Sequence, residues 1–154
     1  MNNNEELIQT FYDAFARLDF ETMQNSYSEN PVFNDPVFGI LQGDEVKAMW
    51  EMLCKNAKGL TINLEKIMVD GEYGTCNWTA IYSFSKTGRK VVNKIKAHMR
   101  IADSKIIEHT DEFDIYKWSR HALGLPGILL GWSGYLKNKI RSDAKNKLKK
   151  FMGN

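Results

Sequence analysis

Three residues of this chain are suited to acid–base chemistry: Asp35, His109 and Asp111. Asp35 stands in a proline turn between two aromatic residues, Phe33 and Phe38. Apolar surroundings raise the pKa of a carboxyl group, and a carboxylate with a raised pKa can act as a general base near neutral pH. An Asp35 that faces a cavity therefore indicates an enzyme of proton transfer. An Asp35 that faces water indicates a turn residue whose carboxylate bonds nearby backbone N–H groups.

His109 and Asp111 are two positions apart in a segment with strand-like alternation. Their side chains point the same way, roughly 6–7 Å apart along the strand. With Asp35 across a cavity, two carboxyl groups and an imidazole would share one apolar space, where one acid stays protonated while the other ionises. The alternative is a buried polar network that holds the sheet together. A metal site from these residues is not specified by their spacing, and we predict no metal and no cofactor.

Three helices are predicted in the first part of the chain. Asn3 or Asn4 can cap the first helix, and Asp19 can cap a second, short one. Gly43 and Asp44 begin a third helix with an apolar stripe at helical spacing. These helices come before nearly all of the strand-like sequence.

Alternating apolar and polar residues follow Gly59 and predict strands, after an earlier short strand over residues 32–34. Turns are predicted at 70–71, 86–89 and 103–104. Helices followed by an antiparallel meander predict an α+β domain. One face of the last strand should carry Ile107, His109, Asp111, Phe113 and Ile115.

The C-terminal part, residues 119–154, differs in composition from residues 1–118. Residues 123–136 are apolar and glycine-rich, and residues 137–150 hold seven basic residues and one acid, Asp143. We predict that the apolar segment packs over a cavity mouth as a lid, as part of the same domain. Two alternatives are fixed packing against the sheet, without a lid function, and contact with a membrane surface. The membrane contact is the less favoured of the two. The inner face of the final amphipathic helix is predicted to carry Leu136, Ile140, Ala144, Leu148 and Phe151.

Length, net charge and cysteine content indicate which broad classes of protein fit this chain. The length of 154 residues fits one domain with a core, and a net charge of +2 does not indicate a nucleic-acid partner. Cys54 and Cys76 have no metal-ligand spacing and are expected to be free thiols, with a single bridge left open. The polar N-terminus is not expected to be a signal peptide, and the apolar segment is expected to be too short for a membrane span. We predict a soluble, cytoplasmic protein.

Several short motifs resemble the nuclear-transport-factor-2-like superfamily. They are Phe-Asn-Asp-Pro-Val-Phe-Gly at 33–39, Gly43 before the third helix, Gly-Arg-Lys-Val-Val at 88–92, and Lys-Ile-Ile-Glu-His-Thr-Asp-Glu-Phe at 105–113. They resemble its ketosteroid-isomerase and SnoaL-like polyketide-cyclase branches, and the resemblance covers roughly residues 5–116. It implies a cone-shaped, curved antiparallel sheet packed by three N-terminal helices, with a deep apolar pocket and here an extra C-terminal amphipathic helix.

The resemblance also implies roles for single residues. Asp35 falls where ketosteroid isomerase keeps its general base, and His109 and Asp111 match the acid–base pair of the SnoaL-like cyclases. The oxyanion-hole positions of ketosteroid isomerase hold Phe11 and Ala97, which donate no side-chain hydrogen bond, so that oxyanion hole is missing. The arginine of limonene epoxide hydrolase has no match on a strand. The pocket is expected to be lined by Phe11, Phe15, Phe33, Trp50, Trp78, Tyr82, Phe84, Ala97, Met99 and Phe113.

Two functional hypotheses follow. The first is a cofactor-free acid–base enzyme, of isomerase or cyclase type, for a small apolar cyclic or polyketide-like carbonyl compound. The second is a non-catalytic module of the same fold that binds a small molecule or forms a dimer. The outer sheet face, with His98, Arg100, Glu108 and Thr110, is expected to form a homodimer interface. His121 is expected at the surface.

Overall fold

A computed structural model of the protein describes residues 1–130 and 133–153, with the side chain of Leu130 excepted. Gly131 and Trp132, which belong to the predicted lid segment, lie outside the described residues. The elements, in chain order, are α1 (Asn3–Ala16), α2 (Phe20–Asn25), β1 (Tyr27–Asp35), β2 (Gly39–Gln42), α3 (Asp44–Asn56), β3 (Thr61–Asp70), β4 (Tyr73–Ser83), β5 (Lys90–Ala102), β6 (Lys105–Glu112), α4 (Ile115–Leu123), α5 (Leu125–Leu130) and α6 (Gly134–Phe151).

The three N-terminal helices begin at side-chain or glycine signals in the sequence. Asn2 caps α1 by accepting a hydrogen bond from the Glu5 backbone N–H at 2.8 Å, so the predicted caps Asn3 and Asn4 lie one or two positions too late. Asp19 caps α2 as predicted, accepting from the Thr22 N–H at 3.1 Å. Gly43 precedes α3 in the left-handed region, which glycine adopts without strain.

The six strands form one curved sheet in the order β2-β1-β6-β5-β4-β3. All neighbours are antiparallel except β1 and β6, which pair in parallel. The predicted α+β fold, with three N-terminal helices on a curved sheet and a C-terminal helix, is confirmed. β1 begins at Tyr27, five positions before the predicted strand, and a register shift between Tyr27 and Val32 accommodates Pro31. β2 was not predicted, because its first residue, Gly39, was interpreted only as a breaker.

The inward face of β6 carries His109 and Asp111, as predicted, with 1% and 4% of their surface exposed. Ile107 does not share that face. A register shift between β5 and β6 turns Ile106 into the core instead. Ile115 lies beyond the strand, as the first residue of α4.

The C-terminal helix α6 covers the wide end of the sheet. It packs against α3, and its inner face carries Leu136, Ile140 and Leu148 as predicted. Phe151, also predicted on that face, is exposed. The preceding α5 is only partly packed, with Leu125 65% exposed and Ile128 50% exposed. The apolar segment nevertheless lines the cavity with Leu123, Pro126 and Leu136, in agreement with the predicted packing over its mouth. The division of the domain into residues 1–118 and a C-terminal segment, 119–154, stays a prediction.

Two further expectations concern cysteines and membranes. Cys54 and Cys76 are buried free thiols, as expected. Among the described residues, no helix is long and apolar enough to cross a membrane. A cytoplasmic location stays a prediction.

Candidate active site

A cavity of about 530 Å³ lies between the concave face of the sheet, α3 and the C-terminal helices. Its wall is mainly apolar, and its polar residues include Asp35, Asp111 and Asn93. Its volume falls in the range of pockets for drug-sized ligands. Of the residues expected to form the pocket, the wall contains Phe15, Phe33, Trp50, Trp78, Tyr82, Phe84 and Phe113.

Three residues expected in the pocket, Phe11, Ala97 and Met99, do not line the cavity. They fill the narrow end of the cone, where all three are buried. Phe11 stands edge-on to Trp50 and to His109, with ring centroids 5.4 and 5.8 Å apart. The aromatic side chains packed around Phe11 therefore separate Ala97 and Met99 from the cavity.

Asp35 ends β1 and combines both roles considered from the sequence. Its Oδ1 accepts hydrogen bonds from the backbone N–H groups of Val37 at 2.9 Å and Phe38 at 2.6 Å, so it does stabilise the turn. Asp35 also lines the cavity. Burial raises the pKa of Asp35 to about 7; the charge of Asp111 adds to this, while the two N–H groups and Arg141 oppose it.

The parallel pairing of β1 with β6 sets Asp35 beside Asp111. Asn34 pairs with Thr110 and Phe33 with His109, so the next positions along are Asp35 and Asp111. Neighbouring strands lie about 4.8 Å apart, and side chains alternate between faces. Both carboxyl groups therefore stand on the same wall of the cavity.

His109 lies behind Asp111 in a chain of buried hydrogen bonds. The Trp50 indole N–H donates to the Tyr27 hydroxyl at 2.8 Å, and that hydroxyl lies 2.7 Å from His109 Nδ1. His109 Nε2 lies 2.9 Å from Asp111 Oδ1. An indole N–H only donates, so the Tyr27 hydroxyl accepts from it.

This network occupies both nitrogens of His109, and His109 does not line the cavity. It fixes Asp111, whose Oδ1 is also 3.4 Å from the Trp78 indole nitrogen. In the described part of the chain, Asp111 Oδ2 has no hydrogen-bond partner, while Asp111 lines the cavity. Within the same residues, no group of three His, Cys, Asp or Glu side chains is arranged to hold a metal ion.

Tyr82 and Asn93 add hydrogen-bond donors that the sequence analysis did not assign. The Tyr82 hydroxyl accepts from the Trp118 indole N–H at 2.9 Å, which leaves its own hydrogen to donate. Burial raises the pKa of Tyr82, and the charge of Asp35 raises it further, so the two groups interact. Asn93 is 8% exposed and lines the cavity. The available signal was a polar residue at an inward position of an alternating strand.

The two other histidines lie away from the cavity. His98 faces outward and lies 3.5 Å from Glu112 at the sheet surface, near the ion pair of Arg100 with Glu72 at 3.2 Å. A homodimer through this face stays a prediction. His121 is half-buried rather than fully at the surface, and its Nδ1 accepts from the Val92 N–H at 3.3 Å.

Comparisons with known proteins agree with this architecture. A family model described as a SnoaL-like domain matches residues 8–109. An NTF2-like protein of unknown function from Burkholderia pseudomallei is 20% identical with a TM-score of 0.71, and the match covers 80% of this chain and 99% of that one. An LEH-like epoxide hydrolase from M. tuberculosis is 18% identical with a TM-score of 0.68, covering 84% and 96%.

A third solved structure is IdmH, a candidate polyketide cyclase from Streptomyces antibioticus. It is 18% identical with a TM-score of 0.65, and the match covers 76% of this chain and 96% of that one. No curated protein matches the chain significantly. At these identities, the similarity to solved structures supports the fold alone.

Proposed function

The chain belongs to the SnoaL-like domain family, and we propose that it is a cofactor-free acid–base enzyme of isomerase or cyclase type. Its substrate would be a small apolar carbonyl compound bound in the cavity. One observation carries the proposal: two carboxyl groups stand side by side on an apolar cavity wall, and the pKa of one, Asp35, is about 7. A strongly shifted pKa in a cleft is typical of functional sites.

Asp35 is proposed as the base. Its Oδ1 is held by two backbone N–H groups, and in the described part of the chain Oδ2 has no hydrogen-bond partner. Oδ2 would take a proton from the carbon next to the substrate carbonyl. The electrons of the broken C–H bond would form the C=C bond of an enolate, and the negative charge would move to the carbonyl oxygen. Protonated Asp35 would then return the proton elsewhere on the substrate.

The developing enolate oxygen needs hydrogen-bond donors, since donors aimed at new charge stabilise a transition state. Phe11 and Ala97 supply none. Tyr82 and Asn93 line the same cavity, and each has a donor group there. We assign them this role because both line the cavity that also contains Asp35.

Asp111 and His109 have supporting roles in this proposal. Two neighbouring carboxyl groups do not ionise independently, so a charged Asp111 keeps the proton affinity of Asp35 high. His109 acts through Asp111 as a positioning residue and does not touch the substrate. This assignment changes the role given to His109 from the sequence.

A second candidate function is non-catalytic binding of an apolar ligand. The observation that favours it is that the buried network satisfies both nitrogens of His109, while the turn satisfies Asp35 Oδ1. His109 and Asp35 thus each have a structural reason to be present. A binding pocket needs the cavity but not the base.

Solvent-deuterium exchange separates the two functions. Wild-type protein, Asp35→Asn and Asp111→Asn would be incubated in D₂O with a panel of cyclic ketones and β-diketones. The control is Asp103→Asn, since Asp103 is exposed and has a positive φ that asparagine adopts readily. Exchange that requires Asp35 and tolerates Asp103→Asn supports the enzyme. Folded protein with no exchange into any ketone supports the binding function instead.

A further inference from the structure

The rim of the cavity is positively charged. Lys139, Asp143 and Lys147 follow one another at four-residue spacing on one side of α6, and all three line the cavity. Residues Ser85 and Lys86, between β4 and β5, line it opposite them. The rim thus carries three ammonium groups and one carboxylate.

The contacts across the rim leave part of this positive charge unpaired. Lys86 Nζ lies 3.7 Å from Asp143 Oδ2, which neutralises one of the lysines. Lys147 Nζ lies 3.5 Å from the uncharged Ser85 hydroxyl. Within the described residues, Lys139 and Lys147 form no ion pair. Two cations therefore remain at the opening of an otherwise apolar space.

The inner wall has the opposite sign. Asp35 and Asp111 stand there without a compensating cation inside the cavity, and Arg141 reaches the turn only from outside, donating to the Pro36 carbonyl at 3.3 Å. Charges in a low-dielectric cleft act over longer distances than in water. An anionic group on a ligand is repelled from the wall and attracted to the rim, which orients the ligand.

We infer that the substrate is an amphipathic acid: an apolar, ring-sized body with a carboxylate or similar anion at the end that stays at Lys139 and Lys147. The other end, next to Asp35, bears the reacting carbonyl group, and this part rests on the proposed function. The cavity of about 530 Å³ accommodates such a body. The rim lysines thus select for charge, while the wall performs the chemistry.

Two fluorescent probes with one apolar body test this inference. 8-Anilinonaphthalene-1-sulfonate carries an anion, and N-phenyl-1-naphthylamine is its neutral counterpart. Binding of each to the full chain would be measured by calorimetry for wild type, Lys139→Gln/Lys147→Gln and the control Lys137→Gln/Lys149→Gln. The control changes the net charge equally on the same helix, at positions that do not line the cavity.

Loss of the rim lysines should weaken the anionic probe by about five- to tenfold and leave the neutral probe within about twofold. Asp143→Asn should act in the opposite direction and tighten the anionic probe. Equal weakening in both double variants, equal weakening of both probes, or no weakening would overturn the inference. Asp35→Asn should still bind the anionic probe more tightly than the neutral one. Charge selection at the rim can therefore be observed even if the deuterium-exchange test shows no proton transfer.

Discussion

The two ends of the cone use polar side chains in opposite ways. At the narrow end, Trp50, Tyr27 and His109 form a continuous chain of hydrogen bonds that ends on Asp111. At the wide end, Asn93 and the second oxygens of Asp35 and Asp111 line the cavity without partners among the described residues. Buried polar groups are normally paired. The hydrogen-bond chain therefore serves stability, whereas the wide end is left to pair with a ligand. Tyr12 is an exception at the narrow end, since its buried hydroxyl has no hydrogen-bond partner among the described residues.

The largest effect should come from Asp35→Asn. Asparagine keeps an oxygen for the Val37 and Phe38 N–H groups but cannot take a proton, so exchange into a reactive ketone should fall by about 10²–10⁴. The rate is measured by NMR in D₂O for variant and wild type.

The same variant, Asp35→Asn, should lose activity but gain stability at high pH. The pKa of Asp35 is raised when folded, so its contribution to stability is present below pH 4 and is lost as pH rises to about 7. Asp35→Asn should thus unfold at higher urea than wild type at pH 8, with the difference disappearing at low pH. If Asp35→Asn were less stable than wild type at pH 8, the claim that Asp35 is present for function at a cost in stability would be contradicted.

Tyr27→Phe, at the narrow end, should lower the stability of the fold, whereas Asp35→Asn should raise it at pH 8. Removing this hydroxyl leaves the Trp50 N–H and His109 Nδ1 buried without a partner, which should lower the free energy of unfolding by about 2–3 kcal/mol. Urea denaturation measures this, with Tyr73→Phe as the control because Tyr73 is 63% exposed. Equal stability of the two variants would mean that the hydrogen-bond chain does not stabilise the fold.

The pH profile tests the ionisation of Asp35. Only the carboxylate form accepts a proton, so kcat/KM should rise with pH and level off above about 7, the pKa of Asp35. Between pH 7 and pH 5, kcat/KM should fall by about 50-fold. Deuterium exchange across this range measures the profile, and a flat profile would exclude Asp35 as the titrating base.

Tyr82→Phe should have the smallest effect of these variants. It removes the same group at the wide end as Tyr27→Phe removes at the narrow end, so the two variants compare the ends directly. Its hydroxyl is proposed to donate to the substrate, so exchange should slow by about tenfold or more. The free energy of unfolding should fall by about 1 kcal/mol, less than in Tyr27→Phe, since one buried group, the Trp118 N–H, loses its partner instead of two. A stability loss as large as that of Tyr27→Phe would remove the distinction between the two ends.

Much of this arrangement could be predicted from alternation in the strands. The two-residue period placed His109, Asp111, Trp78 and Tyr82 on the inward face correctly. Alternation assigns a face but not a height along the cone. Ala97 and Met99 therefore share a face with Asn93, yet they lie in the closed end while Asn93 lines the cavity.

Other features depend on contacts between distant segments. The early start of β1 requires pairing with the distant β6 across a register shift. β2 pairs with β1 through a short turn, and the proline and glycine of that segment favour a turn when considered alone. The hydrogen-bond chain from Trp50 to Asp111 joins α3, β1 and β6. No local pattern indicates that His109 is occupied on both sides.

The parallel pairing of β1 with β6 has a consequence for folding kinetics. β3, β4 and β5 pair through short turns, whereas β1 reaches β6 only after about half of the chain has intervened. Closing such a long loop costs entropy before its contacts compensate. We expect the β3–β5 hairpins to form first and the two carboxylates to meet late in folding. Pulse-labelled amide exchange would show this as later protection of β1 than of β4.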